Sequence, residues 1–297
     1  MLQEKGDRGL NITINALLLL AGIICMYPIW YVIICSVSDP GAIALGKVIL
    51  WPVGFTTGGY EMMFEDSNIW IGYRNSIIYT TLGTALALVV QLSAGYALSR
   101  RIPGRRWLST FFVLTMYFSG GLVPSYLLMN EIGWIDNPIV MIVPGAMSAY
   151  NMIVARSFFI GSIPESLFDA ARIDGCSYIR FFVKVVIPLS GAMIAIIALF
   201  NIQSRWNTYL GAEMYLVNPN YRVLQQIINS LFSAYDVQLE EISPVGPGVE
   251  NIDELLQYRK QLMKYCVIIA GVLPLVILYP FIQKFFVKGI MVGAVKG

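Results

Sequence analysis

Histidine is missing from all 297 residues of the sequence, and only 13% of them are charged. Without imidazole there is no histidine base and no histidine ligand for zinc. Cysteine is sparse too: Cys25, Cys35, Cys176 and Cys266 form no C-x-x-C pair, which leaves no thiolate metal site or redox pair of the usual spacing. The chain has no G-x-S-x-G elbow, no G-x-G-x-x-G turn and no Walker-type phosphate loop, so it lacks the means to hydrolyse ATP by itself. We expect no enzyme, no metal and no cofactor held by this chain. The shortage of charge has the broadest consequence. Soluble domains carry about 25% charged residues. Half that, with 57% hydrophobic residues and a mean hydropathy of +0.67, predicts an all-α, polytopic membrane protein.

Long apolar runs are what the chain has in quantity. A window of about 19 residues finds six, at 12–37, 71–98, 107–129, 139–159, 185–205 and 265–286. Each is long enough, at about 1.5 Å per residue, to cross roughly 30 Å of hydrocarbon. Trp30, Trp51, Trp70, Trp107, Trp134 and Trp206 fall at or near the predicted ends, where an aromatic belt belongs. The first run exceeds the about 7–15 apolar residues of a secretory signal and no small-x-small cleavage site follows it, so an uncleaved anchor is expected.

With the N-terminus placed in the cytoplasm, the inner segments hold 13 of the 20 Lys and Arg residues, although the outer segments are longer. Of the 18 acidic residues, 13 fall outside. The tight loop RRIPGRR, 100–106, is the strongest topological anchor. Six spans with both termini cytoplasmic follow. Outside lie 38–70, rich in Pro and Gly with a short helix near 60–65, and the long loop 206–264. That loop reads as an amphipathic stretch at 223–232, a Pro/Gly hinge at 243–248 and a polar helix at 252–264.

One inner segment, ESLFDAARIDGCSYIRFFVKVVIP at 165–188, is too polar for its place between two apolar runs. Pro164 suits a helix start, where no backbone donor is needed, and Glu165 and Asp169 suit the positive N-terminal end. Leu167, Phe168, Ala171 and Ile173 are expected on one side, with Ala170-Ala171 leaving a low surface that another body can approach. Asp174-Gly175 stops the helix, the glycine taking a left-handed conformation, and Asp174 or Ser177 caps a second helix over 178–186. Physics alone leaves two readings level: an amphipathic connector on the inner membrane surface, or a docking site for a cytoplasmic partner.

Asp169-Ala170-Ala171-x-x-Asp174-Gly175, with Pro188 after twelve further residues and Phe182 and Ile187 between, resembles the EAA loop of ABC-importer permeases. That pattern reads E-A-A-x-x-x-G; here Asp169 replaces Glu, which keeps the charge and shortens the reach by one methylene. Six spans, the basic loop after the second, and the terminal FFVKGIMVGAVKG look like the sugar-importer branch, similar to the smaller permease of maltose-type systems. YFSGGLVPSYLLMNEIGWIDN, 117–137, is similar to the subgroup that takes up oligosaccharides and polysaccharides.

The resemblance implies a single type I importer permease domain over 1–297, forming half of a translocation pathway with a second, usually different, permease. A cytoplasmic dimer of ABC ATPases would bind ATP and Mg, and an external solute-binding protein would deliver the sugar. No nucleic acid is implied. Coupling to the ATPase would fall to Glu165, Asp169, Ala170, Ala171, Arg172, Asp174, Gly175 and Pro188. Ala170 and Ala171 would lie in the ATPase groove, Asp169 and Arg172 on its rim, and Gly175 at the sharp turn. The tail 292–297 with Lys296 would make a second contact.

Sugar sites combine aromatic faces with amide and charged hydrogen-bonders. NIQSRWN at 201–207 offers Asn201, Gln203, Arg205, Trp206 and Asn207, and Tyr117 and Asn151 lie in or near other spans. Each has an ordinary reading too, as a helix–helix hydrogen bond or an interface anchor. Arg205 stands out, because a basic group near membrane depth is usually functional. It suits an acidic sugar, and equally a lipid phosphate. The segment 209–239 either reaches into the binding protein or packs as a lid on the partner permease. The competing functions are an ABC permease for another solute class, such as amino acids, and a secondary transporter. The latter often has inverted repeats and ionisable groups buried mid-span, and neither is visible in the sequence.

Overall fold

The computed structural model describes residues 5–240, 262–281 and 283–284, and among them every regular element is helical. In chain order these are α1 (Lys5–Cys35), α2 (Pro40–Ala44), α3 (Gly58–Glu65), α4 (Ser67–Ser99), α5 (Arg105–Tyr117), α6 (Leu122–Glu131), α7 (Ile139–Ile142), α8 (Ala149–Ser162) and α9 (Glu165–Ile173). Then follow α10 (Tyr178–Phe181), a π-helical turn (Phe182–Val186), α11 (Ile187–Leu189), α12 (Gly191–Trp206), α13 (Leu210–Tyr215), a 3-10 turn (Pro219–Tyr221), α14 (Leu224–Glu240) and α15 (Leu262–Phe281). The chain divides into two compact units, Met1–Ser67 with Ile228–Leu273, and Asn68–Ile227 with Pro274–Gly297.

In the first unit, α1 is apolar on every side and exposed from Leu10 to Trp30, a pattern that suits lipid or a partner rather than water. Its end is tied down: the Trp30 indole N–H donates to the Leu50 carbonyl at 2.9 Å, and its ring stands edge-on to Trp51. Asp39 caps α2 by accepting from the Ala42 amide at 3.0 Å, with Pro40 opening the first turn. The short helix expected near 60–65 is α3.

Three of the six predicted spans are met by continuous helices long and apolar enough to cross a membrane: α1 for 12–37, α4 for 71–98 and, as far as Phe281, α15 for 265–286. The other three are broken. The run 107–129 divides into α5 and α6, bent by 111° where Gly121 adopts φ +87°, a conformation that a Cβ disfavours. The run 139–159 divides into α7 and α8 around Pro144-Gly145. The run 185–205 is crossed by an 83° bend between Tyr178–Leu189 and α12. There Pro188 supplies no amide, the preceding turn widens to π geometry, and the Ser190 hydroxyl donates to the Val186 carbonyl at 2.7 Å. A hydropathy window reads composition and is blind to direction. Among the described residues there are thus three such helices, or up to five spans when each of the two bent pairs is taken as one.

The second unit packs α8 on the second half of α4, and α7, α13 and residues 220–224 on the first half. Gly95 permits the first contact: a Cβ there would lie 2.8 Å from that of Ala155. Arg156 Nε donates to the Leu98 carbonyl at 3.0 Å, and Leu92, Tyr96, Phe159, Phe168, Phe181 and Ile197 form the core beside it. At the other end of α4, Asn75 Nδ2 donates to the carbonyls of Asn220 and Arg222 at 2.8 and 2.9 Å, and Ser76 Oγ accepts from the Leu224 amide at 2.9 Å. The segment 209–227 is therefore fastened to this chain's own α4, an arrangement that neither sequence-based expectation for it contained. The hinge at 243–248, most of the polar helix at 252–264 and the tail 292–297 with Lys296 lie outside the described residues.

Candidate functional site

The segment 164–190 is a helix, a sharp turn and a second helix. α9 starts after Pro164 and carries Glu165 in its first turn and Arg172 in its last. Gly175 sits at φ +74°, and its amide donates to the Arg172 carbonyl at 3.0 Å while Cys176 donates to that of Ala171 at 2.9 Å, so the orphan carbonyls at the helix end find partners through a left-handed residue. Of the two caps expected for the second helix, Ser177 is the one used: its Oγ accepts from the Arg180 amide at 3.4 Å.

The side chains of α9 divide differently from the expected single apolar side. Phe168 is buried and Ala171 half-buried against the core, while Leu167 is 39% exposed and Ile173 87% exposed. Phe168 meets Phe181 edge-on at 5.2 Å and Tyr178 at 5.0 Å. The Arg100 guanidinium lies over Tyr96, Phe168 and Phe181 at 4.8, 5.2 and 5.7 Å, and these cation–π contacts join the end of α4 to both helices of the turn. Arg101 pairs with Glu165 at 3.1 Å, both largely exposed, so the pair adds little beyond orientation. Glu165, Asp169, Ala170, Arg172, Asp174 and Gly175 all face outward. The result is a rigid elbow: one aromatic anchor inward, an open face with Ile173 outward.

A second candidate is a polar cavity of about 230 Å³ in the same unit, lined by Ser76, Tyr79 and Thr80 of α4, the Pro144-Gly145 break, and Ser204, Arg205 and Thr208. Arg205 bridges it. Its Nη1 donates to the Met141 carbonyl at 2.8 Å and its Nη2 to that of Pro144 at 3.3 Å. The guanidinium lies against Gly83, where any side chain would collide with it. Farther along, Asn201 Nδ2 donates to Gln91 Oε1 at 3.0 Å, Gln91 Nε2 donates to Asn201 Oδ1 at 3.2 Å, and Gln91 Nε2 also reaches the Ala146 carbonyl at 2.9 Å.

Residues 7–292 match the family described as "Binding-protein-dependent transport system inner membrane component". The chain belongs to this family and is an ABC-importer permease. Among its relatives is the polygalacturonan/rhamnogalacturonan transport system permease protein YtcP of Bacillus subtilis (strain 168), 34% identical over 98% of this chain and 99% of the relative. Protein LplC of the same organism is 31% identical over 93% and 91%. Among solved structures, a chain from a bacterial ABC transporter involved in the import of the acidic polysaccharide alginate superposes with a TM-score of 0.83 at 31% identity, covering 96% of this chain and 99% of that one. The permease is a multi-pass protein of the inner membrane, and permeases of this kind work with a second permease, an ATPase and a solute-binding protein.

The candidates named from the sequence are scattered through the permease. Arg205 lines the polar cavity, and Asn201 reaches it with its amide committed to Gln91. Trp206 is buried, its ring 6.4 Å from that of Tyr73. Gln203 and Asn207 are exposed, Tyr117 is 78% exposed on α5, and Asn151 is buried in the first turn of α8, its backbone N–H donating to Ser148 Oγ at 3.4 Å. Pro188 is exposed beside the bend. Sequence reasoning passed over Ser76, Tyr79, Thr80, Ser204 and Thr208. Part of their signal was there to read: Ser76, Tyr79 and Thr80 stand at i, i+3 and i+4 on one face of α4, while Thr208 lies just past the end of α12.

Proposed function

We propose that the permease is a single domain forming half of the translocation pathway of an importer for oligosaccharides or polysaccharide fragments, and that acidic fragments are its substrates. The fold has six spans with both termini cytoplasmic, each bent pair crossing as one span and the region from α7 to α8 as another. Two relatives support the substrate class, one a polygalacturonan/rhamnogalacturonan permease by name and one part of an importer of acidic alginate. Arg205 in the polar cavity supports a preference for carboxylated sugars. Ser204 and Thr208 on the same wall, with Tyr79 opposite, supply the hydroxyl and aromatic groups that a sugar ring requires.

Segment 165–188 is the ATPase dock. The observation that carries this is the elbow itself, its outward face offering Asp169, Ala170 and Ile173 while Phe168 is locked into the core. Closure of an ATP-loaded ATPase pair would pull on α9 and, through Phe168 and Arg100, on α4. To move the pathway from 1:99 to 99:1 between its two orientations, ATP must favour one by about 5.5 kcal/mol. The test is co-purification of wild-type and Gly175→Asp chains from the native host. Wild type should bring down a P-loop ATPase and a second permease; the variant should keep the permease and lose the ATPase. Retention of the ATPase by the variant would sink the docking role. Substrate is tested separately, by uptake of oligogalacturonides against neutral oligosaccharides of equal length in reconstituted vesicles.

A further inference from the structure

We propose that the groove between the second half of α4 and the helix Tyr178–Leu189 binds one anionic phospholipid, its phosphate at Arg100 and Tyr96 and an acyl chain along the groove wall. The groove has a volume of about 770 Å³, and Leu88, Leu92, Val183, Ile187 and Ile194 line most of it. At one end the lining changes character. Arg100 Nε and Nη2 are buried there without an acceptor in good geometry, beside the Tyr96 hydroxyl that the guanidinium faces. Buried polar groups are nearly always satisfied, and the rings over Arg100 offset its charge without accepting from its N–H groups. The missing partner is an anionic acceptor.

The surroundings agree in sign. Arg101 follows Arg100 in sequence, Arg180 and Lys184 belong to the opposite wall's helix, and among the described residues no acidic side chain lines the groove. The nearby acid Glu165 is already paired with Arg101. Basic pockets between helices at the end of a span suit anionic headgroups. A free phosphate would satisfy the donors and leave the apolar wall bare, whereas a phospholipid answers both at once. Since Arg100 also rests on Phe168, the headgroup would brace the elbow from behind.

The assembled transporter, purified into nanodiscs of mixed phosphatidylglycerol and phosphatidylcholine, tests this by native mass spectrometry of retained lipid. Wild type should keep phosphatidylglycerol in preference to phosphatidylcholine. Arg100→Gln should lower that occupancy about tenfold, the factor expected when a charge-assisted hydrogen bond is lost. Val183→Trp fills the groove at an exposed wall position and leaves Arg100 intact; it should lower occupancy equally, while Arg106→Gln should leave it unchanged. Equal retention of both lipids, full occupancy in Val183→Trp, or displacement of the lipid by millimolar inorganic phosphate would each overturn the proposal. So would an efficient cross-link from a cysteine at position 183 to the partner permease, which would place a protein helix in the groove.

Discussion

Arg205 donates to two carbonyls that the break between α7 and α8 leaves short of amide partners, and in lipid no water is present to replace it. Arg205→Met should therefore destabilise the permease by about 1–3 kcal/mol, read as a lower melting temperature in detergent, and Arg205→Lys should recover only part because one ammonium cannot span both acceptors in a fixed fork. A transport defect in Arg205→Lys larger than its loss of stability would point to the sugar. Gly83 serves the same arginine by absence: Gly83→Leu should displace the guanidinium and reproduce the Arg205→Met melting shift, checked by the same assay. Gly175 matters through backbone conformation, since a residue with a Cβ in the left-handed region costs about 1–2 kcal/mol.

Among the elements, α4 and α12 are joined by the reciprocal Gln91–Asn201 amide pair. Gln91→Leu and Asn201→Leu each leave a buried amide oxygen without its donor; the double variant removes both oxygens. A double-mutant cycle on thermal unfolding should give a coupling of about 0.6–1.7 kcal/mol, the range for polar pairs between membrane helices. The elbow behaves as an element of its own, with Phe168 as its pin. Phe168→Ala should leave the exposed face of α9 chemically intact and loosen its hold on the core; on the docking role proposed above, ATPase should still co-purify while ATP hydrolysis uncouples from uptake. Wild-type coupling in that variant would remove Phe168 from the transmission path.

At the scale of the whole molecule, contacts constrain which ends share a side of the membrane. The ends that meet at Arg100, Arg101, Arg156 and Glu165 must lie on one side of the membrane, because Arg101 touches Glu165 and Arg156 touches Leu98. Single cysteines placed at 101 and 165 in a cysteine-free background should react with a membrane-impermeant maleimide only after the membrane is opened. A cysteine at 207 should react from outside. Labelling of position 101 in intact cells would reverse the topology.

The sequence by itself determined the class and the helix–turn–helix at 165–188. Scarce charge and long apolar runs leave a chain no soluble fold, and the turn at Asp174-Gly175 needs only local chemistry: a glycine for the left-handed residue and a serine for the next cap. Spacing and composition carry such information, so α1, α4, α15, α3 and the elbow were all legible. Where the chain changes direction was decided by tertiary structure. The break at 143–148 became possible because Arg205 satisfies the carbonyls it exposes, while the bends at 118–121 and 190 use Ser119 and Ser190 close by. Those partners lie many residues away or across a turn that no hydropathy window resolves. The same reason placed Asn201 against Gln91 and gathered Ser76, Tyr79 and Thr80 opposite Ser204 and Thr208. A polar residue in a span announces that it needs a partner; only packing decides whether that partner is another helix or a substrate.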